Sequence, residues 1–395
     1  MKDELSLRLQ AMRMRLAGEP VLVICRTVHR SKAWCQKWWE RYLELGTEGL
    51  YDLTRANYHV VNRTPPHIER AVLSIRRRLA AHATPQTRYA YIGAATIQAE
   101  LNALGYTPLP NLRTIERILQ RANLTSPPLR LARRLPRSTY PGPQAHDSNE
   151  IHQVDLVGPR YLQGDKTKYY FAVCKDAFDQ SVYIEFLEGT TLEHLLPFLV
   201  HAWQHLGLPA QVQFDNGRQF YGGGRWSRSL NRLLRFVLRL DIQPIFIPEA
   251  SPERNGSVEN FNGWFQTPLL RRHFASAAAL RRELRRLVVA SNAQHVHQHL
   301  GFKTAAQYRR SKRLRKLPAN FTMNFDKIPV VQGSIIFLRW VPLHGHVDIL
   351  GESVKIGRRC RFRYVKVILN TSTQRVRVYV NGRFIKQIRF PLRIG

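Results

Sequence analysis

Residues 151–158 read Ile-His-Gln-Val-Asp-Leu-Val-Gly, a strand-length apolar run with one carboxylate, Asp155, set in its middle. Burying an isolated charge is costly, so such a strand must give its acid a partner or a counterion. Two more strand-like runs follow, 168–176 (KYYFAVCKD) and 181–188 (SVYIEFLE), each closed by turn residues. A helix is expected over 191–206, then the strand 210–217 (AQVQFDNG), a helix over 226–240 and the short strand 244–248 (PIFIP). Long helices are expected after Pro252 and Ala277. Three successive strands and then alternating helices and strands predict an α/β core, 150–308, with a mixed five-stranded sheet and helices on its faces.

Outward from this block the pattern changes on both sides. Residues 1–62 read as all-α: Leu5, Leu9, Met12 and Leu16 recur at helical spacing, and a short helix follows Pro20. Ser31 can cap a third helix whose buried stripe is Cys35, Trp38, Trp39 and Tyr42, with Lys32, Gln36 and Lys37 facing outward. Short helix, tight turn and a helix with a basic outer face is the helix-turn-helix pattern of DNA readers. A second helical module is expected over 63–124. There Ile97, Leu101 and Leu104 mark one helix, stopped by Gly105. Asn111 caps another with Leu112, Ile115 and Leu119 inside and Arg113, Thr114 and Arg117 outside. Residues 125–149 form a basic, Pro-rich linker whose Arg133 and Arg134 suit a groove or a phosphate backbone. A second basic linker spans 309–319. The tail, 320–395, alternates and turns, with an Asn381-Gly382 hairpin signal, and predicts a small DNA-contacting β-barrel.

The 395 residues allow about two to four domains. Lys and Arg number 61 against 28 Asp and Glu, a formal net charge of +33. That excess argues against an ordinary metabolic enzyme and for a polyanionic partner, nucleic acid first. No apolar run reaches the roughly 20 residues a membrane span needs, and the first helix lacks a signal peptide's apolar block, so a soluble intracellular chain with no membrane partner is expected. Four scattered cysteines exclude a disulfide framework. Cys25, His29 and Cys35 lie close together, but without the usual zinc spacings they read first as core residues.

Asp155 has two counterparts. Asp215 ends a strand in Gln213-Phe214-Asp215-Asn216-Gly217, and Glu259 follows in Asn255-Gly256-Ser257-Val258-Glu259 on the helix after Pro252. Converging carboxylates repel unless cations neutralise them, and hard Mg²⁺ or Mn²⁺ prefers such oxygens. Two such ions can activate a hydroxyl and stabilise a leaving oxygen in phosphodiester chemistry. Asp176, Asp179, Glu185 and Glu253 compete for the same role. Singly, Asp215 also reads as a turn residue and Glu259 as a solvated helix position. Arg225, Arg228, Arg232, Arg235 and Arg239 recur at helical spacing and form either a solvated face or a rail for a DNA backbone. Gly158–Thr167 fails the phosphate-loop spacing and is rejected as a nucleotide site.

HQVDLVG, FDNGRQF and SPERNGSVENFNGWF together resemble bacterial insertion-sequence transposases with a retroviral-integrase-type catalytic core. Arg30-Ser31 through Trp38, Arg41-Tyr42 and Gly46–Leu50 resemble their N-terminal helix-turn-helix, and His299-Leu300-Gly301 with Lys303-Thr304 the segment that closes their core. The resemblance implies an RNase-H-like core in which Asp155, Asp215 and Glu259 hold two Mg²⁺ ions, with Mn²⁺ as a substitute, and Asn255 lies near the DNA. It implies a transposase that binds terminal inverted repeats of double-stranded DNA, cuts them and joins them to a target, working as a dimer or higher oligomer in the bacterial cytoplasm at the nucleoid. Whether a helper protein is needed stays open. The interval from Asp215 to Glu259 is longer than in retroviral integrases, Glu253 adds a second acid near the site, and the zinc-binding His/Cys domain of those integrases has no counterpart. The rival reading is a non-catalytic, sequence-specific DNA-binding repressor derived from a transposase, which has no reason to keep three acids. An RNase-H-like nuclease would make the tandem helical modules superfluous.

Overall fold

The computed structural model describes residues 4–52, 63–125, 140–162, 164–217, 220, 227–248, 256–270, 272–274, 276–330 and 332–393. The chain divides into two compact units, residues 1–64 and 65–395.

The first unit is three helices, α1 (Glu4–Leu16), α2 (Val21–Val28) and α3 (Lys32–Leu45), closed by a 3₁₀ turn over Gly46–Leu50. Its core gathers Ala11, Met12, Ile24, Val28, Cys35, Trp38 and Leu50, with Trp39 and Tyr42 packed against them. Ser31 accepts from the Trp34 amide and so satisfies an orphan donor of α3. The second unit begins with α4 (Pro66–Ala81), α5 (Ala94–Ala103) and α6 (Leu112–Arg121), where Asn111 caps the Thr114 amide in the same way. Ile97, Leu101, Ile115 and Leu119 are buried as the periodicity requires, but Leu104 ends α5 and is exposed. Ser31→Ala and Asn111→Ala are each expected to destabilise the chain by about 1 kcal/mol, read as an earlier denaturant midpoint with unchanged slope.

The expected five-stranded sheet and separate barrel are corrected. Among the described residues a single sheet runs β13-β12-β11-β8-β5-β4-β1-β2-β3, nine strands in all. Its strands are β1 (Ile151–Arg160), β2 (Tyr169–Asp176), β3 (Val182–Leu187), β4 (Gln211–Phe214), β5 (Gln243–Phe246), β8 (Ser334–Trp340), β11 (Tyr364–Asn370), β12 (Arg375–Val380) and β13 (Arg383–Arg389). Two small pairs stand apart, β6 (Val296–His297) with β7 (Lys303–Thr304) and β9 (His346–Ile349) with β10 (Glu352–Lys355). The reason is apolar area. Val365, Val367, Leu369, Val376, Val378 and Val380 share one face of the tail strands and bury it in the same core as Val154, Val212, Phe214 and Phe246. The seam is two parallel pairs, Ile245 with Ile336 and Phe246 with Phe337, with the two phenylalanine rings stacked 5.5 Å apart. Asn381 and Gly382 both adopt positive φ, as the hairpin signal requires.

Helices α7 (Leu192–Leu206) and α8 (Arg232–Arg239) contribute Leu195, Leu199, Trp203, Leu233 and Val237 to that shared core. Helix α8 starts at Arg232, with Asn231 capping the Leu234 amide, so the helix expected from 226 is shorter. On the opposite face α9 (Gly256–Leu270) lays Val258, Phe261, Phe265 and Leu269 over Phe171 and Val173, beside α10 (Ala277–Gln294). The turn after α4 docks onto these two helices. Tyr89 Oη donates to the buried Glu283 at 2.7 Å, and Tyr91 stacks on His295, ring centroids 3.6 Å apart, beside Trp264.

Candidate active site

Strands β1 and β4 run parallel, with Ile151 beside Gln211 and Gln153 beside Gln213. Two residues further on stand Asp155, midway along β1, and Asp215, just past the end of β4. Asp155 Oδ1 accepts from the Leu156 amide at 2.9 Å, and Oδ2 accepts from Asn262 Nδ2 at 2.7 Å. Asp215 Oδ1 accepts from the Gly217 amide at 2.9 Å, an Asx turn in the Asp-Asn-Gly corner. Burial pushes the Asp155 carboxyl up to about 6, and the Asp215 charge adds to the rise against two opposing hydrogen bonds. Burial raises the Asp215 carboxyl as well, against its backbone hydrogen bond. The two acids therefore sit where negative charge is unfavourable without a cation.

Helix α9 is pinned to this corner by its first turn. Gln153 accepts from the Val258 amide at 3.1 Å, and its cross-strand partner Lys175 donates to the Ser257 carbonyl at 2.9 Å and hydroxyl at 3.1 Å. Glu259 follows, half-buried, one turn before Asn262 on the same helix. The Asn262 Oδ1 and Asn216 Oδ1 atoms are buried with no hydrogen-bond partner. Two raised carboxylates and two orphaned amide oxygens are hard oxygen donors, the ligand chemistry a divalent cation takes. Among the described residues no three His, Cys, Asp or Glu side chains are gathered closely enough to hold one ion.

The competing acids have other duties. Asp176, fully buried, accepts from the Asn149, Phe178 and Asp179 amides, and Asp179 pairs with Arg309 at 2.9 Å. Glu185 pairs with His201 at 3.2 Å. Glu253 lies outside the described residues, as do Arg133, Arg134 and Asn255. Lys32, Gln36, Lys37, Arg113 and Arg117 are exposed on α3 and α6, with Thr114 half-buried on α6. The arginine series, read as a solvated face or a rail, is engaged within the protein. Arg228 pairs with Glu352 at 2.7 Å, Arg232 with Glu193 and Asp326, and Arg235 donates to the Leu230 carbonyl. Arg239 alone of the described members is exposed, and Arg225 lies outside them. Asn262, Gln153 and Lys175 escaped the sequence reading. Asn262 carried a signal, since a helix places it three residues from Glu259 on one face.

No family model matches the chain. It is similar to solved retroviral integrases. One is the simian T-cell lymphotropic virus intasome in complex with PP2A regulatory subunit B56 gamma, at 21% identity and TM-score 0.38 over 65% of this chain and 81% of that one. Another is the HTLV-2 integrase catalytic core domain in complex with magnesium, trimeric form, at 22% and 0.32 over 41% and 96%. A third is the BIV integrase catalytic core domain, at 15% and 0.32 over 42% and 96%. These overlaps are too loose to transfer a residue or an activity.

Proposed function

We propose that the chain is a DNA transposase that cuts and joins phosphodiesters. The observation that carries this reading is the pair Asp155 and Asp215, delivered by parallel strands to one corner and joined through Asn262 to the helix bearing Glu259. Asp155 and Asp215 would hold two divalent cations, and Glu259 would complete their set. When bound, Mg²⁺ (or Mn²⁺) supplies Lewis-acid activation of the attacking oxygen and stabilises the leaving one. The protein's share is placement: Gln153 and Lys175 anchor the first turn of α9, and Asn262 orients the Asp155 carboxylate. Water attack at an element end would free a 3′-hydroxyl, which then attacks target DNA. Two ends have to meet, so the working form is a dimer or higher oligomer. No described helix is long and apolar enough to cross a membrane.

The register suggests where the duplex lies. Gln153, Gln213, Ile245, Ile336, Ile368 and Arg377 are successive partners across the sheet, so they share a face. Arg375 pairs with Arg389 on that same face, and all three arginines are exposed. The catalytic corner and the basic tail strands thus lie along one side of one sheet, while Lys32, Lys37, Arg113 and Arg117 on α3 and α6 read element ends. Replacing Arg375, Arg377 and Arg389 by Ala is expected to weaken binding to all duplexes alike. The slope of log affinity against log salt should fall by about 3, nearly one per lost phosphate contact. Replacing Lys32 and Lys37 should weaken binding to end sequences more than to random DNA; equal losses on both would remove α3 as a reader.

Asn262→Ala is expected to lower joining by about 10- to 100-fold with folding intact, because a carboxylate loses its orienting partner. The decisive experiment is cleavage and joining of labelled duplex carrying the DNA that flanks this gene, in Mg²⁺. Specific binding without either reaction would replace this reading by a non-catalytic, sequence-specific repressor.

A further inference from the structure

Two of the four cysteines meet inside the N-terminal unit. Cys25 on α2 and Cys35 on α3 bring their sulfurs to 3.5 Å across the turn that joins the helices. Cys35 is 1% exposed, while Cys25 is half-buried at the edge of the same cluster. His29 ends α2 in the left-handed region with an exposed side chain, and no metal-holding group forms among the described residues. The remaining cysteines, Cys174 and Cys360, are buried singly in the other unit.

We infer that Cys25 and Cys35 are a reversible dithiol–disulfide pair that staples α2 to α3. A disulfide needs its sulfurs at about 2.0 Å, so a small closing motion of side chains already in contact makes the bond. Burial, with the neighbouring Cys25 sulfur, pushes the Cys35 thiol up to about 11 and keeps it protonated. Exchange therefore enters at the more accessible Cys25. The Cys25 thiolate attacks a low-molecular-weight disulfide, forms a mixed disulfide and releases one thiolate. Cys35 then gives up its proton to water, attacks the Cys25 sulfur and expels the second. The protein loses two electrons and two protons, and the small disulfide becomes two thiols.

The test treats the full chain with glutathione disulfide and reads intact mass, with peptide mapping. The expected result is loss of two hydrogens, mapped to Cys25–Cys35 and reversed by dithiothreitol. Hydrogen exchange should slow by roughly tenfold in peptides of α2 and α3. Cys25→Ser should abolish the mass loss, and Cys35→Ser should stop at a glutathione adduct on Cys25. A lasting adduct on Cys25 in the parent chain, no reaction, or crosslinking without slower exchange in α2 and α3 would each overturn the inference.

Discussion

Asp155→Asn and Asp215→Asn are each expected to lower DNA cleavage and joining by about three orders of magnitude. That corresponds to about 4 kcal/mol of transition-state stabilisation lost with a ligand charge. DNA affinity should hold or rise slightly, since a negative charge near the phosphates has gone. Stability supplies a second sign. Burial raises both carboxyls, so each ionised acid opposes folding at neutral pH, and the neutral isostere should melt no earlier than the parent. A variant that is inactive and also unfolded would say nothing of catalysis; one that is inactive, stable and DNA-bound identifies the acid as chemical. Near-normal joining by either variant would sink the transposase reading. Binding is followed in Ca²⁺ alongside joining in Mg²⁺. The pair Glu259→Gln and Glu253→Gln assigns the third acid, because loss with Glu253→Gln alone would move it from Glu259.

Glu283→Ala is expected to destabilise the chain by about 3 kcal/mol. The carboxylate is buried on α10 and accepts from Tyr89 and Arg88, with Arg272 and Arg286 paired to it. Its cationic partners are partly exposed, which keeps the loss at the lower end for a broken buried pair. Burial alone would raise this carboxyl, but Tyr89 and the guanidinium groups of Arg272 and Arg88 outweigh it and hold it below the usual range. Its stabilisation is therefore present above the unfolded-state pKa and lost as pH falls through the depressed folded value. Urea melts of parent and variant at neutral and acidic pH check both statements. An equal gap at both pH values would mean that the charge is not what matters. Because Glu283 ties the turn after α4 to α10, proteolysis near residues 82–93 should quicken in the variant.

The site was legible where a residue type contradicted its surroundings. Asp155 stands in an apolar strand, and Asp215 sits at the turn that ends another, so both stand out in the sequence as candidates. Glu283 does not, because Arg281-Arg282-Glu283-Leu284-Arg285-Arg286 reads as a solvated, salt-bridged helix face. Only the packing of Tyr89 and Arg88 from a distant turn puts that acid indoors. Asp176 and Asp179 competed in sequence for a catalytic role because an acid that accepts backbone amides looks the same on paper as one that waits for a cation. The tail failed for a related reason. The alternation of Val365, Val367 and Leu369 states that one face is buried, and not what buries it.

That shared sheet bears on how such a chain can be rearranged. Were the tail a free-standing barrel, it could be exchanged like a cassette, one specificity for another, with the catalytic unit indifferent to the swap. Here, cutting before Ser334 would strip β5 of one of its two neighbours, leaving Ile245 and Phe246 on a raw hydrophobic edge open to other chains. Inheritance of the two parts is therefore linked: a transplant that carries one without the other yields an aggregating fragment.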